Sequence, residues 1–314
     1  MKNRPSRDHG GNLDDAIKMH GGTRETWLDL STGIAPWSYP LPNIEPGDWT
    51  ELPDAKAQDR LVQVARRFWD VPRAASIVVA PGASALIARI PALEPAGRVW
   101  IAQPTYNEHA AAFAACGWEQ VHSAPSDAMV AVHPNNPDGR LWNRSDLQGQ
   151  LRVIDESFAD ICPDQSLIHE TERDDTIVLK SFGKFWGLAG LRLGFAIGAP
   201  DRMARLTDMI GPWCVSGPAL RIGAHALEDR AWADTQRLRL AQNADRLDAL
   251  ITSRGAQLVG GTSLFRLYEV PNASAWQDRL ARHHVWSRIF PYSENWLRLG
   301  VPGDWGWDRL EAFE

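Results

Sequence analysis

The sequence predicts an α/β fold: a mostly parallel sheet covered by helices, with a small α+β domain beside it. Three observations carry that prediction. Short β-branched runs such as Ser76-Ile-Val-Val-Ala80 lack the polar alternation of a half-exposed strand, so both of their faces are expected to be buried. Stretches with helical spacing separate these runs, as the crossovers of a parallel sheet require. The runs end in Gly, Pro and Asn clusters that interrupt regular structure.

In chain order, residues 1 to 54 are rich in Gly, Pro, Asp and Trp and are expected to form an irregular arm with one short strand, Trp27 to Ser31. A helix is predicted over 58–69, a strand over 76–80, a helix over about 83–92, a strand over 98–102 and a helix over 107–116. Strands follow near 128–133, 151–155, 176–180 and 191–197. After Pro200 the pattern turns helical, at 201–210, 217–229 and 231–253. It then gives strand-like pieces at 257–259, 263–268, 285–290 and 296–299, with a short closing helix.

The 314 residues suffice for about two domains. With 44% hydrophobic and 23% charged residues, the composition is that of a globular protein and excludes a disordered or disulfide-scaffold chain. Lys and Arg total 33 against 39 Asp and Glu, a formal charge of −6, which disfavours a nucleic-acid partner. Cys116, Cys162 and Cys214 form no C-x-x-C pair and no metal-ligand spacing, so reduced thiols in a cytoplasmic protein are expected and no metal is. The most apolar stretch, 77–93, is broken by Pro81, Arg89 and Pro91, and the first residues carry no apolar leader; neither export nor a membrane span is expected.

Several nucleotide and hydrolase motifs are missing. No strand is followed by G-x-G-x-x-G, and Gly183-Lys184 has Phe185 after it and Val178 where a P-loop would have its first Gly. Gly82-Ala-Ser84-Ala-Leu86 lacks the second Gly of a nucleophile elbow.

Open α/β sheets place ligands at the ends of their strands, and here five ends carry chemistry. Pro81-Gly82-Ala83-Ser84 runs from strand into helix and offers the N–H groups of Ala83 and Ser84 to an anion. Gln103-Pro-Thr-Tyr106 brings an aromatic ring, and His133-Pro-Asn-Asn136-Pro137-Asp138-Gly139-Arg140 brings two amides. Asp155 follows Val153-Ile154, where a carboxylate is costly to bury without a positive partner. Ser181-Phe-Gly-Lys184-Phe-Trp-Gly-Leu-Ala-Gly190-Leu-Arg192-Leu-Gly194 sets one Lys in apolar, Gly-rich surroundings, which lower an ammonium pKa and suit Schiff-base chemistry.

The order Asn136-Pro137, Asp155, Ser181-x-x-Lys184 and Arg192-x-Gly194 resembles the pyridoxal-phosphate enzymes of the aspartate aminotransferase fold (fold type I). That resemblance implies pyridoxal 5'-phosphate as cofactor. Lys184 would form the Schiff base and shuttle protons, Asp155 would pair with the pyridinium nitrogen, Asn136 would bond the phenolic oxygen, and Tyr106 would stack on the ring. The phosphate would lie at Gly82, Ala83 and Ser84 with Ser181 and Arg192. Trp296-Leu-Arg298-Leu-Gly300 resembles the strand that carries the family's substrate-carboxylate arginine.

Within that fold, His9-Gly-Gly-Asn12, Asp29-Leu-Ser-Thr-Gly-Ile-Ala-Pro36, Pro104-Thr-Tyr-Asn-Glu-His109 and the 181–194 segment resemble the threonine-phosphate decarboxylases of cobalamin biosynthesis. The implied reaction converts L-threonine O-3-phosphate to (R)-1-aminopropan-2-ol phosphate and carbon dioxide. A phosphorylated amino acid needs a second anion site, for which His9, Asn12 and Arg288 are the candidates. Two alternatives stay open: a histidinol-phosphate-type aminotransferase, and a catalytically idle cofactor-binding subunit of a cobinamide-synthesising assembly. Three positions depart from the family's pattern: Ala35 stands for Asn, Phe158 for a Tyr, and Leu52 for the Tyr of a Tyr-Pro pair that reaches the partner subunit. The resemblance implies a homodimer. It also implies a cofactor domain over 55–215, with 1–54 and 216–314 folding together as the small domain.

Overall fold

The computed structural model describes residues 9–313, which divide into two compact units. The larger comprises Ser38–Asn136 and Arg140–Gln236, and the smaller comprises the described residues of Met1–Trp37, Pro137–Gly139 and Arg237–Glu314.

The larger unit is built on a seven-stranded sheet. Its order is Ser76–Ala80, Gly194–Gly198, Thr176–Ser181, Leu151–Asp155, Ala128–Val132, Arg98–Ile101 and Glu119–Val121. Gly194–Gly198 runs antiparallel to both of its neighbours, and the four pairings beyond Thr176–Ser181 are all parallel. Leu151, Val153, Ile177, Leu179 and Val130 bury one face of the sheet against Leu86, Ile90, Phe113 and Trp118. Helix Ala55–Phe68 is capped by Asp54, which accepts the Ala57 N–H at 2.8 Å, and it buries Leu61, Val64 and Ala65.

The expected domain limits at 54/55 and 215/216 both lie inside this unit. Ser216 caps helix Gly217–Glu228, which packs on Ala55–Phe68 and on the short helix Pro46–Thr50. Gly217 permits that approach because a Cβ there would strike the carbonyl of Asp48, and Arg221 Nε bonds Asp48 Oδ2 at 2.5 Å.

The smaller unit holds an antiparallel sheet of Arg288–Phe290, Ser293–Gly300, Phe265–Glu269 and Gln257–Thr262, with a separate parallel pair, Leu28–Asp29 and Val285–Trp286. Leu247, Ile251, Tyr268, Leu280, Leu297, Leu299 and Phe313 form its core.

Most predicted elements are present, but strand Glu119–Val121 and helix Pro46–Thr50 were not predicted, the run expected over 285–290 splits into Val285–Trp286 and Arg288–Phe290 in two different sheets, and further differences follow. Helices occupy Leu13–His20 in the arm and Ala273–Arg282 between the late strands, where none was predicted. The helix expected over 83–92 stops at Ile87 and resumes as a tight turn at Ile90–Leu93, because Pro91 cannot continue an α-helix. The strand expected from 191 begins at Gly194, because Arg192 is left-handed, with φ of 53°. No helix among the described residues is long and apolar enough to cross a membrane.

Candidate active site

A cavity of about 640 Å³, its open mouth included, lies at the strand ends of the larger unit. Its walls include Ala83, Ser84, Tyr106, Asn136, Asp155, Phe158, Ser181, Lys184 and Arg192. Eight of these nine are residues singled out from the sequence as holding a cofactor, and the strand order brings them together from five separate turns.

Asp155 is 2% exposed and fully engaged. Its Oδ2 lies 2.8 Å from His109 Nε2, and its Oδ1 accepts the Ser157 hydroxyl at 2.5 Å and the Ser157 N–H at 3.0 Å. Burial alone pushes this carboxyl upward. The bond and charge of His109, then the two bonds from Ser157, outweigh it and hold the group below the ordinary carboxylate value. Neither partner was foreseen. The signal was the cost of a buried carboxylate, which demands a positive neighbour; His109, one helical turn after Tyr106, supplies it.

The two amides after strand Ala128–Val132 divide their work. Asn135 is buried and structural, accepting from Thr105 Oγ1 at 2.6 Å and donating to the Pro104 carbonyl at 3.0 Å. Asn136 is the one that faces the cavity.

At the opposite wall, Gly82 has a φ of +87°, and a Cβ there would sit 2.5 Å from the Arg192 guanidinium. The positive φ favours glycine at this position, and the guanidinium of the left-handed Arg192, whose Nη1 donates to the Ala189 carbonyl at 3.0 Å, lies in the space beside it. Gly194 likewise has no room for a side chain, because the Ala83 amide passes against it. Ser181 Oγ accepts the Gly183 N–H at 3.3 Å. Lys184 Nζ lies 5.4 Å from the centre of the Phe158 ring, which is 5% exposed.

His9, Asn12, Arg288 and Arg298 belong to the smaller unit. Arg288 and Arg298 face each other across adjacent antiparallel strands, so two guanidinium groups share one position on the sheet. Like charges so placed repel. Burial first, then the Arg288 charge, lower Arg298 from its ordinary value to about 10. Arg298 Nη2 donates to the Ser31 carbonyl at 2.6 Å, which orients the fork.

Ser31 is a junction. Its N–H and hydroxyl both donate to Asp29 Oδ1, at 2.9 and 2.6 Å, and its Oγ accepts the Gly11 N–H at 2.7 Å. A Cβ on Gly10 would collide with the Ser31 carbonyl, and Gly11 has a φ of +86°. These contacts give the two glycines of His9-Gly-Gly-Asn12 a structural reason. His9 and Asn12 are exposed, and the Asn12 amide donates to Asp15.

The chain matches the aminotransferase class I and II family over residues 43–304. Threonine-phosphate decarboxylases from Sinorhizobium sp. and Pseudomonas aeruginosa are each 37% identical to it, over 97% of this chain and 96% of their own. The crystal structure of histidinol-phosphate aminotransferase from Sinorhizobium meliloti, in complex with pyridoxal-5'-phosphate, superposes with a TM-score of 0.81 at 18% identity, covering 99% of this chain and 96% of that one. The match over most of the chain, together with the parallel sheet and its strand-end cavity, places the protein in the aminotransferase class I and II family.

Proposed function

We propose that this protein decarboxylates L-threonine O-3-phosphate to (R)-1-aminopropan-2-ol phosphate, the reaction that supplies the aminopropanol arm of cobalamin. The observation that carries the reading is the near full-length similarity to two threonine-phosphate decarboxylases, joined to a cavity whose residues fit their cofactor.

That cofactor is pyridoxal 5'-phosphate, and the donor set matches it. A buried carboxylate kept ionised by His109 and Ser157 suits a protonated ring nitrogen. The Ala83 and Ser84 amides, Ser181 and the Arg192 fork, set in the space that Gly82 leaves, suit a phosphate. Asn136 supplies a donor for the phenolic oxygen, Tyr106 a flat face for the ring, and Lys184 the amine that would hold it. When bound, the cofactor supplies an electron sink for the charge left at Cα as carbon dioxide departs.

The chain's own residues do the rest. Asp155 would hold a proton on the ring nitrogen through a carboxylate whose Oδ2 is fixed by His109 and whose Oδ1 is fixed by Ser157. Arg298 orients the substrate's carboxylate, and Arg288 with His9 and Asn12 takes its phosphate. Beyond burial, the Arg288 charge lowers Arg298 from its ordinary value, and a substrate anion lying on both guanidinium groups would offset that effect. Lys184 Nζ delivers the proton that replaces carbon dioxide at Cα.

The deciding experiment supplies threonine phosphate to the cofactor-loaded protein with and without 2-oxoglutarate. One carbon dioxide per substrate, with no need for the keto acid, is expected. Turnover that requires 2-oxoglutarate and yields glutamate would make the protein an aminotransferase, and no turnover at all would leave it a binding subunit.

We propose further that it acts in the cytoplasm as a homodimer. Leu41, Trp49 and Leu52 are 64, 70 and 67% exposed within one twelve-residue stretch, more apolar surface than a lone subunit gains from. Sedimentation of Trp49→Glu/Leu52→Glu is expected to give monomers from a dimeric parent; an unchanged dimer would place the interface elsewhere.

A further inference from the structure

The reverse face of the sheet carries charge that the cavity does not use. Successive side chains of a strand alternate between faces, so Lys180 points away from the side that Ser181 presents to the cavity. Lys180 Nζ lies 2.6 Å from Glu156 Oε2 and 3.9 Å from Asp160 Oδ1, and none of the three side chains is more than 5% exposed. Glu156 is fixed in turn by the Ser166 hydroxyl at 2.7 Å and the Leu167 N–H at 2.5 Å. Apolar residues fill such positions at no loss of stability in many proteins, so a buried ionic cluster calls for another reason.

The reason lies in what Asp160 holds. Its Oδ1 accepts the Trp69 indole N–H at 2.8 Å, and its Oδ2 accepts that of Trp186 at 2.9 Å. Trp186 follows Lys184 by two residues, and Phe182 precedes it by two. The two rings stack on each other, 5.1 Å apart and within 9° of parallel. Trp186 also stacks on Trp232, 5.4 Å apart and within 13° of parallel, and its carbonyl accepts the Tyr39 N–H at 2.9 Å. The segment between the stacked rings is thereby closed into a loop, with the Gly187 N–H on the Lys184 carbonyl at 3.1 Å. An indole can slide or flip within a stack of flat faces; its N–H bond to a fixed carboxylate removes that freedom.

We propose that Asp160, held by the Lys180–Glu156 pair, is a positioning residue for Lys184. It locks the Trp186 indole, and the Phe182–Trp186 stack then sets where the loop presents the lysine amine. The inference rests on the reading of Lys184 as the residue that holds the cofactor.

Two variants of equal chemistry separate positioning from mere stability. Trp186→Phe and Trp69→Phe each remove one N–H from Asp160 and keep an aromatic ring, but only the first lies in the lysine loop. The cofactor-loaded proteins are compared by melting temperature, by kcat and KM, and by the pH midpoint of the visible absorption band. Trp186→Phe is expected to lower kcat about tenfold with KM little changed, and to move the spectral midpoint by about half a unit or more. Asp160→Asn should do the same. Trp69→Phe should lower the melting temperature alone. The proposal is overturned if Trp186→Phe changes only the melting temperature, or if Trp69→Phe moves the spectrum equally. Should Asp160→Asn not fold, the tryptophan pair decides by itself. A Lys184→Ala protein that still fixes cofactor covalently on borohydride treatment would instead overturn the reading of Lys184, whatever the tryptophan variants do.

Discussion

The strand-end cavity and the Arg288–Arg298 pair handle charge in opposite ways. In the cavity the buried carboxylate already has its protein partners, His109 and Ser157, and the Arg192 guanidinium is seated beside Gly82 by its bond to the Ala189 carbonyl. On the small sheet two cations face each other across one strand pair, and one of them is pushed down to about 10. The first arrangement fixes its groups in place before a ligand arrives, as suits a resident cofactor that must be gripped the same way in every cycle. In the second, burial and the Arg288 charge lower Arg298 and the Tyr292 and Asp29 charges work against that, so an added anion would favour the pair, as suits a substrate that must come and go.

The strongest way to break this contrast is Arg298→Met. It removes the charge and the fork while keeping bulk, and kcat/KM for threonine phosphate is expected to fall about 10²- to 10³-fold. Arg298→Lys should recover the charge but not the bidentate grip, and so only part of the loss. Spectra and cofactor content should stay those of the parent. Steady-state kinetics that show no loss would remove the arginine pair from the substrate's path.

A smaller effect sharpens the other side. His109→Asn takes away the main force that lowers the Asp155 carboxyl and leaves its burial in place, so that carboxyl titrates at higher pH. The stabilisation from ionised Asp155 is present above the ordinary carboxylate range and is lost as pH falls through its lowered value. In the variant that loss begins at higher pH. The acid limb of the kcat/KM profile is expected to move up by about one unit, with a decline of about tenfold at neutral pH. An unmoved acid limb would mean that Ser157 alone sets the carboxylate.

The cavity was legible because its residues follow strand ends in a fixed order. Turns such as Pro81-Gly82 and Asn136-Pro137 mark those ends whatever the helices between them do. What sequence could not assign were pairings across long stretches of chain. His109 meets Asp155 from 46 positions away, and the Asn135 amide is claimed by Thr105 from 30 positions away. Helix Ala273–Arg282 carries an Asn272 cap and buried Ala273, Trp276 and Leu280, a readable helical spacing obscured by the β-like runs on either side. Strand Glu119–Val121 has only three residues, too few for any periodicity. The arm read as irregular because Gly10, Gly11, Gly21 and Gly22 bracket its helix.

Ser31 bears on how the protein should be handled. The residue that receives the Arg298 fork on its backbone carbonyl also takes the Gly11 amide on its hydroxyl, so the arginine's seat and the mooring of the segment from Gly11 meet at one residue. Removing residues 1–12, or fusing bulk directly before His9, would leave the cofactor cavity intact but slacken the surroundings of Arg298. An affinity tag at the C-terminal end keeps that mooring undisturbed, and activity lost with an amino-terminal fusion would mark a loosened arginine in a fully folded protein.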